Sequence, residues 1–139
     1  MSAKVTESFL DTNILLRHLL ADHPDHSPRA TNLLRRVERG ELRVRIADFV
    51  VLETVFTLER TYKRSKADIA AALAPLIGLP GILLAGKRNF QVAFDLYVRL
   101  RLPFADAYYA ALMQRRGIQE IISFDKDFDR IPGITRREP

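Results

Sequence analysis

Four carboxylates occupy positions where their type and spacing could do chemistry: Asp11, Glu53, Asp106 and Asp125. Asp11 follows the apolar pair Phe9-Leu10, where a strand hands over to a helix. Asp125 follows "IISF" near the other end of the chain. In open α/β sheets, functional groups collect beyond the carboxyl ends of strands, so both stand where a site would form if the first and last long strands are neighbours. Glu53 is expected on a helix with Phe49, Val50 and Phe56 at i−4, i−3 and i+3. Asp106 has Tyr109, Ala110 and Met113 on its own helical face. Both interrupt an apolar stripe.

Each acid also has a structural explanation. Asp11 suits an N-cap, Asp106 a first helical turn where the dipole favours a negative charge, and Asp125 a turn in "SFDKDFDR". Glu53 could reach Thr57 or Arg60 along its helix. One metal site would explain all four together, because clustered carboxylates repel and burial makes each charge costlier. The chain has no cysteine and no histidine in these segments. An all-oxygen cage selects a hard cation, Mg²⁺ or Mn²⁺, rather than zinc. Such a cation activates water and stabilises a leaving oxygen, which points to phosphodiester hydrolysis. Thr12, Asn13 and Ser123 lie beside the acids and could orient ligands or water, with capping and turn roles as the alternative. Asp127 competes with Asp125, and is expected behind it or at the surface. Asp48 in "RIADFVV" is expected to be an N-cap.

The elements that must position these groups follow from periodicity. A strand is expected over Val5 to Leu10, a helix over Ile14 to Leu20, and another from Arg29 to Arg39 ending at Gly40. "LRVRI" reads as a strand, and "FVVLETVFTLERTY" after Asp48 as a helix. Lys66 to Ile77 is a helix perturbed by Pro75. "GLPGILLAG" holds a short strand between glycines, "NFQVAFDLYVRLR" is amphipathic, and "FADAYYAALMQRRG" is a helix ended by Gly117. "QEIISFD" reads as a short buried strand, and "IPGI" as a marginal last one. Alternating strands and helices predict a three-layer α/β/α sandwich with a mainly parallel sheet.

The 139 residues, 47% of them hydrophobic, suit a single domain over 1–139 with a core that needs no covalent staple. No segment has the roughly 20 apolar residues of a membrane span, and no signal peptide is evident, so a soluble, cytoplasmic protein without a membrane partner is expected. Lys and Arg number 22 against 17 Asp and Glu, a net charge of +5 that permits polyanion binding. Arg17, Arg88, Arg115 and Arg116 could track phosphates, and Tyr108 or Phe124 could stack a base. His18, His23 and His26 lack the spacing of a zinc pair and read as a surface turn.

"FLDTNILLR", "VVLETV", "FADAYYAALM" and "IISFDKDF" occur in the order and approximate spacing of the PIN-domain ribonucleases, and the chain resembles a VapC-type toxin of a bacterial toxin–antitoxin pair. The resemblance covers nearly the whole chain. It implies a PIN-like α/β/α sandwich and Mg²⁺- or Mn²⁺-dependent endoribonuclease action. It also implies a homodimer, and inhibition by a cognate VapB-type antitoxin. Residue by residue, it carries the family acids onto Asp11, Glu53, Asp106 and Asp125. Two rivals remain. An aspartyl-nucleophile phosphatase would want a second Asp two positions after the first, where Asn13 stands. A non-catalytic receiver-like or RNA- or protein-binding α/β module would have no use for Glu53 on an apolar face.

Overall fold

The computed structural model describes residues 4–139. The described residues form two compact units, divided between Lys87 and Arg88. In the first, β1 (Lys4–Phe9), β2 (Leu42–Arg45) and β3 (Ile82–Leu83) make a parallel sheet with β2 in the centre. The β1 ladder pairs Lys4 with Leu42 and Phe9 with Arg45, with a register shift between them. Beyond the strand, Leu10 still donates to Arg45 O at 2.8 Å, which fixes the backbone next to Asp11.

Four helices complete this unit: α1 (Thr12–Leu20), α2 (His26–Glu38), α3 (Asp48–Arg60) and α4 (Lys66–Ile77). α1 packs on α2 and α3. The apolar stripes of the sequence become its core, with Leu15, Val37, Val51, Val55, Ile69, Leu73, Ile77 and Ile82 almost wholly removed from water. α4 has the expected bounds. Pro75 lies in its last turn, where it removes one hydrogen bond without ending the helix. α2 begins three residues earlier than expected, at His26.

The α3 stripe differs from the sequence expectation. Val50, Val51, Thr54, Val55 and Leu58 face inward, whereas Phe49 and Phe56, flanking Glu53, are 60% and 57% exposed. The Val-rich stripe and the Phe stripe are both apolar, and periodicity alone does not rank them. Asp48 is not the N-cap either. Ala47 holds that position, and Asp48 is the first helical residue, its carboxylate accepting from Phe49 N at 2.8 Å.

The second unit holds α5 (Lys87–Arg99, whose first residue belongs to the other unit), α6 (Phe104–Arg116), β4 (Glu120–Ile122), a 3₁₀ turn (Lys126–Arg130) and β5 (Thr135–Arg137). Its core is aromatic: Phe104 lies 4.8 Å from Phe94 and edge-on to Tyr97 at 5.3 Å. Gly117 caps α6 in the left-handed region at φ 67°, a conformation that costs glycine little.

β4 pairs with β5 in a parallel two-stranded sheet, so β1 and β4, the expected neighbours, stand in separate sheets among the described residues. Nor is β4 buried as expected: Ile122 is 59% exposed, since a two-stranded ladder encloses little. The last strand lies one step beyond "IPGI", because Gly133 at φ 82° makes that segment a turn. The α/β class with parallel pairing is as expected. No helix among the described residues is long and apolar enough to cross a membrane.

Candidate metal centre

Asp11 lies two residues beyond β1 and caps α1, with extended backbone (φ −85°, ψ 160°) and its side chain accepting from Thr12 N at 2.8 Å. Thr12, 5% exposed, turns its hydroxyl the other way and donates to Glu53 Oε2 at 2.9 Å. One buried threonine therefore holds two exposed carboxylates, one just beyond a strand and one on α3. That bond replaces the Thr57 or Arg60 partner expected for Glu53; Arg60 instead lies over the Phe56 ring at 4.7 Å.

In the second unit, α6 starts immediately after Pro103, which puts Asp106 in its first turn. Asp106 is 8% exposed, and its Oδ2 has no hydrogen-bond partner. Asp125 precedes the 3₁₀ turn and caps it by accepting from Asp127 N at 2.9 Å, while its own N–H donates to Ser123 Oγ at 2.9 Å. Asp106, Asp125 and Asp127 each place one carboxylate oxygen within 4.8 Å of the others.

The charges respond as such crowding requires. Desolvation, then a hydrogen bond with Asp125 that forms only when one of the two acids is protonated, and the charges of Asp125 and Asp127, push the Asp106 carboxyl up to about 7, against a smaller pull from Arg130. Asp125 moves the other way, held below the usual carboxylate range by the Asp127 N–H and by its bond to Asp106. Without a cation the two acids titrate as a pair, the crowding favouring the proton on buried Asp106 and the charge on exposed Asp125.

An unpartnered buried oxygen among three carboxylates is the donor set of a hard-cation site. The residues present fit Mg²⁺ or Mn²⁺. The structure thus brings Asp11 to Glu53 in one unit, and Asp106 to Asp125 and Asp127 in the other.

The remaining candidates divide. Ser123 Oγ accepts from Asp125 N, Thr12 Oγ1 donates to Glu53, and Asp127 lies within the group of three acids. Asn13 is exposed and lines a groove of about 590 Å³ with Arg17. Arg17 pairs with Asp22 at 3.4 Å. Arg88, Arg115 and Arg116 are exposed, and Phe124 is 71% exposed. Tyr108 stacks on Phe90 at 4.5 Å, which engages one face of its ring inside the unit.

Of the histidines only His23 lies in a turn, its Nδ1 accepting from His26 N at 2.8 Å; His18 belongs to α1, where it bonds Thr31 of α2, and His26 opens α2, against the surface turn expected for all three. Arg130, which periodicity does not single out, donates to Asp127 Oδ1 at 3.3 Å. Its position three residues after Asp127 was the one available signal.

The PIN domain model matches residues 8–134. The chain belongs to the PIN domain family. Within that family it is similar to a VapC ribonuclease of Mycobacterium bovis and to ribonuclease VapC13 of Mycobacterium tuberculosis. Each is 33% identical over 129 residues, spanning 91% of this chain and 96% of the relative. A VapC ribonuclease of Aquifex aeolicus is 24% identical over 122 residues, 88% of this chain and 90% of that one. The crystal structure of VapC20 of Mycobacterium tuberculosis, described as a sarcin-ricin loop cleaving toxin, aligns over 98% of this PIN chain and all of that one at 24% identity and a TM-score of 0.41.

Proposed function

We propose that this PIN protein is a VapC-type toxin, an endoribonuclease that hydrolyses RNA phosphodiester bonds with Mg²⁺ or Mn²⁺ and is restrained by a cognate VapB-type antitoxin. The observation that carries the reading is the unpartnered, buried Oδ2 of Asp106 among three carboxylates, inside a PIN domain. Membership of the family and 33% identity to two VapC ribonucleases support the activity and the toxin role. A homodimer and a cytoplasmic location belong to the same reading.

In this mechanism Asp106, Asp125 and Asp127 would hold the cation, and Asp11 and Glu53 are further acids that the family resemblance assigns. A bound Mg²⁺ or Mn²⁺ supplies two things: a lowered pKa for the attacking water, and a positive charge against the phosphate as negative charge develops. The protein's part is orientation. Thr12 fixes the Glu53 carboxylate, and Ser123 and Asp127 N–H fix Asp125. Preset geometry spares the site reorganisation at the moment of reaction.

The test is cleavage of a mixed RNA pool by the purified protein in Mg²⁺, Mn²⁺ or EDTA, beside Asp11→Asn and Asp106→Asn. Cutting that requires metal and falls at least a hundredfold in both variants is expected. Cutting that survives EDTA or both substitutions overturns the assignment.

A further inference from the structure

We propose that Arg130 is a positioning residue of the metal centre, holding Asp127 and the α5–α6 loop in one geometry so that the carboxylates stay within reach of a single cation. The inference rests on the metal-dependent reading above. Three acceptors converge on this one guanidinium. Nη1 donates to Leu100 O at 2.9 Å, and Nη2 donates to Arg101 O at 3.4 Å and to Asp127 Oδ1 at 3.3 Å. Leu100 and Arg101 lie between α5 and α6, directly before the turn of α6 that carries Asp106. Arg130 itself ends the 3₁₀ turn that follows Asp125 and contains Asp127. It therefore ties the two segments that supply all three acids.

The loop needs such a tie. Arg101 sits at φ 55°, a left-handed conformation that a residue with a Cβ adopts only under constraint. A planar guanidinium with donors in a fixed fork can serve two carbonyls and a carboxylate at once, which a lysine ammonium cannot do in the same directions. Arg130 is half exposed, so its value lies in geometry more than in a strong ion pair.

The sign of one measurement separates positioning from charge. If Arg130 acted only as a nearby positive charge, removing it would strengthen cation binding, because it opposes a cation among the same acids. If it positions the acids, removal weakens cation binding in spite of the lost repulsion. The experiment is Mn²⁺ titration calorimetry of the whole protein as wild type, Arg130→Gln and Arg130→Lys, with melting temperatures in EDTA and steady-state RNA cleavage at saturating metal.

Expected is about a tenfold loss of Mn²⁺ affinity in both variants, a fall in kcat, and a KM for RNA within twofold of wild type. Equal or tighter Mn²⁺ binding by Arg130→Gln overturns the proposal, as does full affinity in Arg130→Lys. A raised KM with unchanged kcat also overturns it, and makes Arg130 an RNA-phosphate contact. The metal-dependent reading fails separately: wild type would then neither bind Mn²⁺ nor cut RNA, and the role of Arg130 would fall with it. If wild type binds and cuts while the variants match it, only the role of Arg130 is lost.

Discussion

At the scale of single residues, the site depends on two side chains that respond to crowding in different ways. Thr12 spends its hydroxyl on Glu53 and its N–H on Asp11. Thr12→Val deletes only the first bond and is expected to cost about 1–2 kcal/mol in urea unfolding, because a hydrogen bond to a charged acceptor is lost at a buried position. Thr12→Ser should keep both stability and cleavage within twofold. Asp106 stores a repulsion instead. Its carboxyl titrates near 7 in the native protein against 3.8 when unrestrained. The folded state therefore binds the extra proton between those values, and the stability it contributes is complete below the lower one and lost as pH rises through the higher. Asp125 is shifted the opposite way, so its contribution is lost only on acidification below its ordinary range. In EDTA the melting temperature of wild type is expected to fall from pH 5 to pH 8, and that of Asp106→Asn to fall less. Parallel curves for the two proteins would show that Asp106 does not carry the titration.

At the scale of elements, the tightest constraint lies at Gly81. A Cβ there would stand 2.7 Å from Val37 Cγ1 and 2.9 Å from Leu42 O, where α2 and β2 close on the start of β3. Gly81→Ala is expected to lower the urea midpoint by the equivalent of about 1–3 kcal/mol, with no loss of cleavage per folded molecule. Sequence located this strand between glycines without showing why the glycine was needed, since the reason is a neighbour 44 positions away. Elsewhere legibility followed the strength of the local signal. α4 and the Gly117 cap were readable because periodicity and a positive-φ glycine are local properties. The partner of Glu53 was not, because Thr12 is 41 positions distant and equally good candidates lay one turn along the helix. The burial of β4 misled for a related reason: two of its three residues are isoleucines, yet whether such a strand is covered depends on the sheet it joins. Asp106 stands out in the sequence because an acid on an apolar helical face has few structural uses, and it is buried with an unpartnered oxygen. The nearness of Asp127 to Asp106 and Asp125 is not legible in the sequence, because order along the chain does not give distance.

At the scale of the whole molecule, the net charge of +5 and the cluster of acids make opposite demands on RNA. Positive charge spread over the surface attracts the phosphate backbone at long range, whereas the carboxylates repel it at the point of reaction unless a cation intervenes. Binding and cutting should therefore respond differently to salt and to metal. If about three phosphates are neutralised, the slope of log K against log salt for single-stranded RNA is about −2, so a rise from 50 to 200 mM weakens binding about twentyfold. With RNA saturating, kcat should move less than twofold over that range, because the short-range contacts between carboxylates and cation are screened far less than surface charge. EDTA should do the reverse: cleavage stops while much of the binding survives. Fluorescence anisotropy of a labelled RNA, read beside gel cleavage at each salt and metal condition, decides the matter. Binding that disappears with the metal and is indifferent to salt would mean that the cation, not the basic surface, holds the RNA.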